Sequence, residues 1–372
     1  MSDTARVLIV DDSRIFRAAL EAALAGQEGI AVAGSVFSGE KALAFIRATP
    51  PDLVTLDVEM PGLDGLETLQ AIQRFNAGRP NDPPVGILMV SAFTRRGADV
   101  TMRALQAGAF DFVTKPNGPS AEANLRTLRE QLIPRIRSFM ARRQRGAPGA
   151  GRSLAPSPSG APCPALRAVR TIRAVLIAAS TGGPQALGVL LPELCAGLDV
   201  PVFVVQHMPA GSREFTRSLA DLLARQTGRP VVEARDGDRA VPGTVFIAPA
   251  DRHLLLRAGP EQGIVTVLND QQKENGFRPS ADVLFRSAAA ALGGEAVAVV
   301  LTGMTCDRVA DGTAGLRPLK RAGGCVIAQD EASSVVWGMP GSVVAAGLAD
   351  AVLPLREIAA VVRALVANRK GG

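Results

Sequence analysis

Two sets of residues in this sequence have types and spacing that could do chemistry, and the first is acidic. Asp11 and Asp12 directly follow the apolar run RVLIV (6–10), Asp57 directly follows DLVTL (52–56), and Lys115 comes just after FDFV (110–113). Clustered carboxylates repel one another unless a hard divalent cation joins them, and oxygen ligands with an open position suit Mg²⁺. Such an ion neutralises a phosphoryl group while an aspartate attacks it, and a lysine adds a compact positive charge for the phosphoryl oxygens. Ser91, at the end of the run GILMV (86–90), adds a hydroxyl for a phosphoryl oxygen. The plainer reading is that Asp12 or Ser13 only caps a helix. It leaves unexplained why four strand ends carry the required residue types together.

The second set centres on Ser180, where the apolar run AVLIA (174–178) gives way to ASTGGPQAL. Gly182 and Gly183 let the backbone come close to a ligand, and Pro184 suits a first helical turn. Backbone N–H groups at a helix N-terminus stabilise an anion or oxyanion. The segment reads either as a phosphate-binding loop or as a nucleophile turn. It lacks the Walker lysine, the GxGxxG spacing and the GxSxG of α/β-hydrolases. Only two histidines could serve as its base. His207 stands just beyond VPVFVVQ (200–206); His253 leads into LLLRA (254–258), which suits packing or loop shaping better. A third group must orient the imidazole. Asp307 and Asp311 both follow AVAVVLTG (296–303), where Gly303 and Met304 would offer backbone donors.

These residues need elements that bring them together. In the first part, apolar runs alternate with helical patterns such as 15–25 and 40–48, and AVAGSV (31–36) is a fainter strand. Such alternation means βαβ units and a parallel sheet, with functional groups at the carboxyl ends of the strands. A helix near 121–144 contains Pro134 and is expected to kink or break there. GAPGAGRSLAPSPSGAPCPA (146–165) has the composition of a linker. After Arg173 the alternation resumes. LLLRAGPEQGIVTVLN (254–269) reads as a hairpin, which predicts a mixed second sheet. The fold class is α/β throughout: a (βα)5 domain at about 1–122, a helix tail and linker at about 123–170, and a mostly parallel, doubly wound domain at about 171–368.

Composition narrows the function. Hydrophobic residues at 47% and charged residues at 20% predict packed domains rather than disorder. No apolar run is long enough to span a membrane, and the N-terminus does not read as a signal peptide, so a cytoplasmic protein without membrane insertion is expected. Cys163, Cys195, Cys306 and Cys325 form no CxxC, against a zinc site or a disulfide framework. The net charge of +6 gathers at Arg135, Arg137, Arg142, Arg143, Arg145 and Arg152, as at a solvated helix end and linker. The second domain shows no basic recognition helix, so nucleic acid is not an expected partner. A DNA-binding output half is accordingly disfavoured.

Through Asp11, Asp12, Asp57, Ser91 and Lys115, the first 122 or so residues resemble the receiver domain of bacterial response regulators. That resemblance implies phosphorylation of Asp57, Mg²⁺ held by Asp11, Asp12 and Asp57, and a switch of Ser91, Lys115 and an aromatic residue, Phe110. The segments IAASTGG, VVQHMP, IAPADRHL, VLTGM…DGTAGL and AQDEASSVVWGMP, spread over 175–340, resemble the catalytic domain of chemotaxis protein-glutamate methylesterases. This resemblance implies a triad of Ser180, His207 and one aspartate, an oxyanion donor at the Met304 backbone, and support from Thr181. It implies hydrolysis of glutamate γ-methyl esters on methyl-accepting chemoreceptors, and deamidation of receptor glutamines, with no cofactor in the catalytic domain. A chemotaxis histidine kinase would be the phosphoryl donor, and the unphosphorylated receiver would act as a lid on Ser180.

Two departures from that family stand out. Ala178 replaces a usual glycine, and TGMTCDRVADGTAG is about four residues longer than the family's TGMGxDGxxG. Asp307 keeps the spacing from Met304, whereas Asp311 keeps the following glycine and the DGTAGL helix start. Both remain candidates, with Asp311 favoured. The lengthened loop also admits a catalytically weak homologue acting as a signalling adaptor.

Overall fold

Each apolar run of the first part becomes a strand, and a capped helix follows close behind it. The computed structural model describes residues 4–92, 94–144, 171–305 and 310–367, and the chain divides into two units, Met1–Ala147 and Pro148–Gly372. Unit one runs β1 (Ala5–Val10), α1 (Arg14–Leu24), β2 (Ile30–Val36), α2 (Gly39–Ala48), β3 (Leu53–Asp57), α3 (Gly65–Ala77), β4 (Gly86–Ser91), α4 (Arg95–Gln106), β5 (Asp111–Thr114) and α5 (Ala121–Gln144). Its sheet is parallel, in the order β2-β1-β3-β4-β5. Side-chain oxygens of Ser13, Ser38, Asp64 and Thr94 accept the free N–H groups at the starts of α1 to α4. Asp64 and Glu67 close a full capping box. The helices thus begin where the strands end, which leaves Asp11 and Asp12 just after β1 and Asp57 at the end of β3, at one edge of the sheet.

Helix α5 does not break at Pro134. Leu128, Leu132, Ile136 and Phe139 bury one continuous face across the proline, and that burial outweighs one lost backbone hydrogen bond. Its arginines are partly tied down: Arg135 pairs with Asp111 at 2.9 Å and Arg143 with Asp52 at 3.1 Å.

Unit two runs β6 (Ala174–Ala179), α6 (Gly183–Leu194), β7 (Val202–Gln206), α7 (Arg213–Thr227), β8 (Val231–Glu233), β9 (Val245–Ile247), β10 (His253–Ala258), β11 (Ile264–Asn269), α8 (Ala281–Leu292), β12 (Ala296–Val300), α9 (Thr313–Arg321), β13 (Cys325–Gln329), α10 (Gly338–Ala345), β14 (Ala351–Leu353) and α11 (Leu355–Ala367). Seven strands form one sheet in the order β14-β13-β12-β6-β7-β9-β8. Every pairing in it is parallel, so the expected mixed sheet is corrected. The hairpin β10–β11 joins no other strand of the described residues, though β11 bridges the 237–240 segment at Arg239 and Val265. Its inward residues Leu254, Leu256, Ile264 and Leu268 share a core with Leu284, Phe285 and Ala288 of α8, so a helix rather than a sheet edge covers its apolar face. Among the described residues, no helix is long and apolar enough to cross a membrane.

The strand order positions the site. One flank of β6 holds β7, β9 and β8 in that spatial order, β9 filling in between β7 and the edge strand β8, and the chain then returns to the other flank of β6 with β12, β13 and β14. The reversal lies between β6 and β12, and a crevice opens outside the carboxyl ends of strands at such a point.

Candidate functional site

Ser180 lies at that crevice. It follows β6, and its N–H donates to Thr302 O, just past β12, at 3.0 Å. On the other side, β7 keeps parallel register with β6 as far as Ala179 opposite Gln206, so His207 is the next residue opposite Ser180. The turn after Ser180 is tight. Gly182 has φ +77°, and a Cβ there would stand 2.5 Å from Val335 Cβ. A Cβ on Gly303 would come 2.8 Å from Ser180 Cβ, so the chain after β12 passes directly against the serine.

His207 is buried, and its ring stacks on Phe277 with centroids 3.9 Å apart and planes 10° apart. Its Nε2 meets Asp311 Oδ2 at 2.7 Å. Among the described residues, nothing bonds its buried Nδ1. Asp311 is the aspartate that faces the ring; Asp307 lies outside the described residues. The Asp311 carboxylate also accepts from Ser280 Oγ at 2.6 Å, Ala281 N at 2.6 Å and Asp282 N at 3.2 Å. It therefore sits on the N-terminus of α8, where helix N–H groups favour a negative charge. Burial pushes its pKa up, but the His207 hydrogen bond and charge, Ser280 and the Ala281 N–H prevail and hold it below the usual carboxylate value.

His253 is placed differently. Its Nδ1 accepts from Ser280 N at 3.3 Å and its Nε2 reaches Gln272 O at 3.0 Å, so both ring nitrogens are engaged. It is one step behind Asp311, through Ser280. Thr302 Oγ1 donates to Thr181 O at 2.9 Å, and Gln329 Oε1 accepts from Thr302 N at 2.8 Å. Met304 follows Gly303 at the mouth of the crevice and is half-buried.

Unit one carries the acidic pocket. Oxygens of Asp11, Asp12 and Asp57 lie within 4.8 Å of one another. Lys115 Nζ bridges Asp11 and Asp57, at 2.7 Å to each. Burial, and then the charge of Asp11, push Asp57 up to about 6 against the pull of Lys115. Burial pulls Lys115 down, but the two carboxylates more than offset it and raise its pKa. Three carboxylates with one ammonium leave an excess of negative charge, and this donor set fits a hard divalent cation. Ser91 is buried at the end of β4, opposite Thr114, in line with the pocket. Phe110 is not brought to it. Phe110 precedes β5, and its ring packs edge-on against Phe139 of α5, with centroids 5.2 Å apart, over the gap left by Gly86, where a Cβ would meet the Phe139 ring at 2.3 Å. Aromatic burial at the far end of the strand holds it there.

Sequence reading missed Ser280, Phe277, Gln206 and Gln329. Ser280 had a signal, since a serine after Pro279 and ahead of ADVLF suits a helix N-cap. Gln206 had one too, as a lone amide closing an apolar run beside His207. Phe277 had none.

A family model described as CheB methylesterase matches residues 175–362, and one described as response regulator receiver domain matches residues 7–125. The chain belongs to the CheB methylesterase family. A protein-glutamate methylesterase/protein-glutamine glutaminase of Nocardioides is 45% identical over 355 residues, covering 95% of this chain and 93% of the relative. One of Trichodesmium erythraeum is 43% identical over 358 residues, 95% of this chain and 97% of its own. The crystal structure of the Thermotoga maritima CheB methylesterase catalytic domain is 40% identical, covers 54% of this chain and all of that one, and aligns with a TM-score of 0.48.

Proposed function

We propose that this chain is a phosphorylation-activated serine esterase that hydrolyses glutamate γ-methyl esters on chemoreceptors and deamidates receptor glutamines. The observation that carries this reading is His207, bound through Nε2 to a buried Asp311 at 2.7 Å with Nδ1 left over, at the strand end beside Ser180. Residues 1–122 are the receiver, 123–170 the helix tail and linker, and 171–368 the catalytic domain.

In the reaction, His207 Nδ1 takes the Ser180 Oγ proton as Oγ attacks the γ-carbonyl carbon. The Met304 backbone N–H holds the oxyanion; Gly303, the other donor expected there, instead gives its N–H to Val336 O at 2.9 Å. His207 returns the proton to the leaving methoxide, and methanol departs. Water, deprotonated by His207, then cleaves the acyl-serine to release the glutamate. Asp311 holds the ring tautomer and stabilises the imidazolium. A glutamine follows the same route, with ammonia leaving, and Thr181 supports the turn through Thr302.

In the receiver, the Asp57 carboxylate accepts a phosphoryl group from a histidine kinase, and Lys115 and Ser91 contact its oxygens. Asp11, Asp12 and Asp57 would hold Mg²⁺, which when bound neutralises the phosphoryl charge. The phosphorylated state then favours the active esterase. Methanol release from methylated chemoreceptor, measured with and without a small phosphoryl donor, tests this. The donor is expected to raise the rate of the wild type and leave Asp57→Asn unchanged. Equal wild-type rates would overturn phosphorylation control.

A further inference from the structure

Gln206 ends β7 directly before His207 and is 2% exposed. Its side-chain Nε2 donates to the backbone carbonyl of Ser180 at 2.9 Å and to that of His207 at 2.9 Å. Both neighbours are carbonyl oxygens, so only the NH₂ end of the amide can face them. The Oε1 end is buried and, among the described residues, has no hydrogen-bond partner. It presses over Gly183, where a Cβ would stand 1.9 Å from Oε1. A buried amide with one end unsatisfied is unfavourable where an aliphatic side chain would fill the same space. Its two donated bonds are therefore its distinguishing contribution.

What those bonds join matters. The β6–β7 ladder closes with Ala179 opposite Gln206 and a last bond from His207 N to Ala179 O at 2.9 Å. Beyond it the two chains turn away into α6 and toward α7, and no ladder bond sets Ser180 against His207. Gln206 supplies a tie at that point. We infer that Gln206 is a positioning residue for the ester hydrolysis, its amide clamping the carbonyls of Ser180 and His207 and so fixing the spacing across which the serine proton moves. The inference rests on Ser180 and His207 being nucleophile and base. Glutamate at this position would be isosteric, but ionised it has no hydrogen to donate and repels both carbonyls, and protonated it has one hydrogen where the amide offers two; methionine keeps the length without a donor.

The test uses the full chain and methylated chemoreceptor, with kcat and KM measured separately and the rate of Ser180 labelling by a sulfonyl fluoride as a second readout. Rates are expressed per folded molecule, judged by circular dichroism and by the fluorescence of Trp337, the single tryptophan. Gln206→Glu and Gln206→Met are each expected to lower kcat roughly 100-fold, the cost of a small misplacement of reacting groups. KM should stay within about two-fold, since ground-state contacts are kept, and Ser180 labelling should fall with kcat. Gly183→Ala should fold poorly, because its methyl meets both Gln206 Oε1 and the Cβ of Ala179. Wild-type kcat in any folded Gln206 variant would overturn the clamp. So would failure of all of them to fold, which would make Gln206 a folding residue. Ser180→Ala separates the two readings. If it keeps activity, the triad is wrong; if it is inactive while Gln206→Glu runs at the wild-type rate, only the clamp is wrong.

Discussion

Asp311→Asn changes one atom at a carboxylate that serves four donors. Oδ2 takes His207 Nε2 and Ala281 N, and Oδ1 takes Ser280 Oγ and Asp282 N. Asparagine has one oxygen, so its NH₂ must face some of these donors. The negative charge that stabilises the His207 imidazolium also disappears. With charge centres about 4 Å apart and an effective dielectric near 20, that attraction is about 4 kcal/mol, or roughly a 10³-fold loss in kcal-to-rate terms. The charge develops only as the serine proton moves, so kcat should fall while KM stays nearly constant. Steady-state methanol release on methylated chemoreceptor measures both. Stability carries a second signature. The folded Asp311 pKa is lowered, so its contribution is present above the ordinary carboxylate range and is lost as pH falls through and below that range. Asp311→Asn removes that contribution, so its stability should vary less over the acid limb than the wild type's. A folded Asp311→Asn enzyme with kcat within about ten-fold of wild type would refute the imidazolium argument.

Two further outcomes follow from the geometry. Asp57 is raised to about 6, so without a divalent cation its charge opposes folding increasingly as pH rises from about 4 through about 6. Asp57→Asn should therefore raise the urea midpoint of the receiver at pH 7 by an amount equivalent to about 1–2 kcal/mol, and Mg²⁺ should stabilise the wild type more than the variant; no change in either midpoint would contradict the reading of the pocket. His253→Ala, which removes the acceptor for Ser280 N and the partner of Gln272 O, should cost roughly ten-fold in kcat, far less than His207→Ala; an equal loss in both would reassign the base.

Much of this was legible in the sequence for one physical reason. Parallel strands deliver the residues after them to one edge of their own sheet, so Asp11, Asp57 and Lys115 in the first sheet, and Ser180 and His207 in the second, could be grouped from local patterns alone. What depends on distant chain was not. The choice of aspartate rests on where α8 begins, and Ser280 is 31 residues from Asp311 in sequence. The role of His253 depends on that same helix start. The resemblance to receiver domains made Phe110 the expected switch aromatic, yet it precedes β5 and packs against Phe139. Pro134 signals a break locally, and burial along α5 overrides it. The three residues of β14 are too few for any period to show.

Ser180 carries the central claim, and its removal tests it most directly. Full-length Ser180→Ala, shown to be folded and still able to accept phosphate on Asp57, should release no methanol from methylated chemoreceptor above the uncatalysed rate. It should also form no acyl-enzyme detectable by mass spectrometry. Methanol release at a rate near that of the wild type would contradict the account.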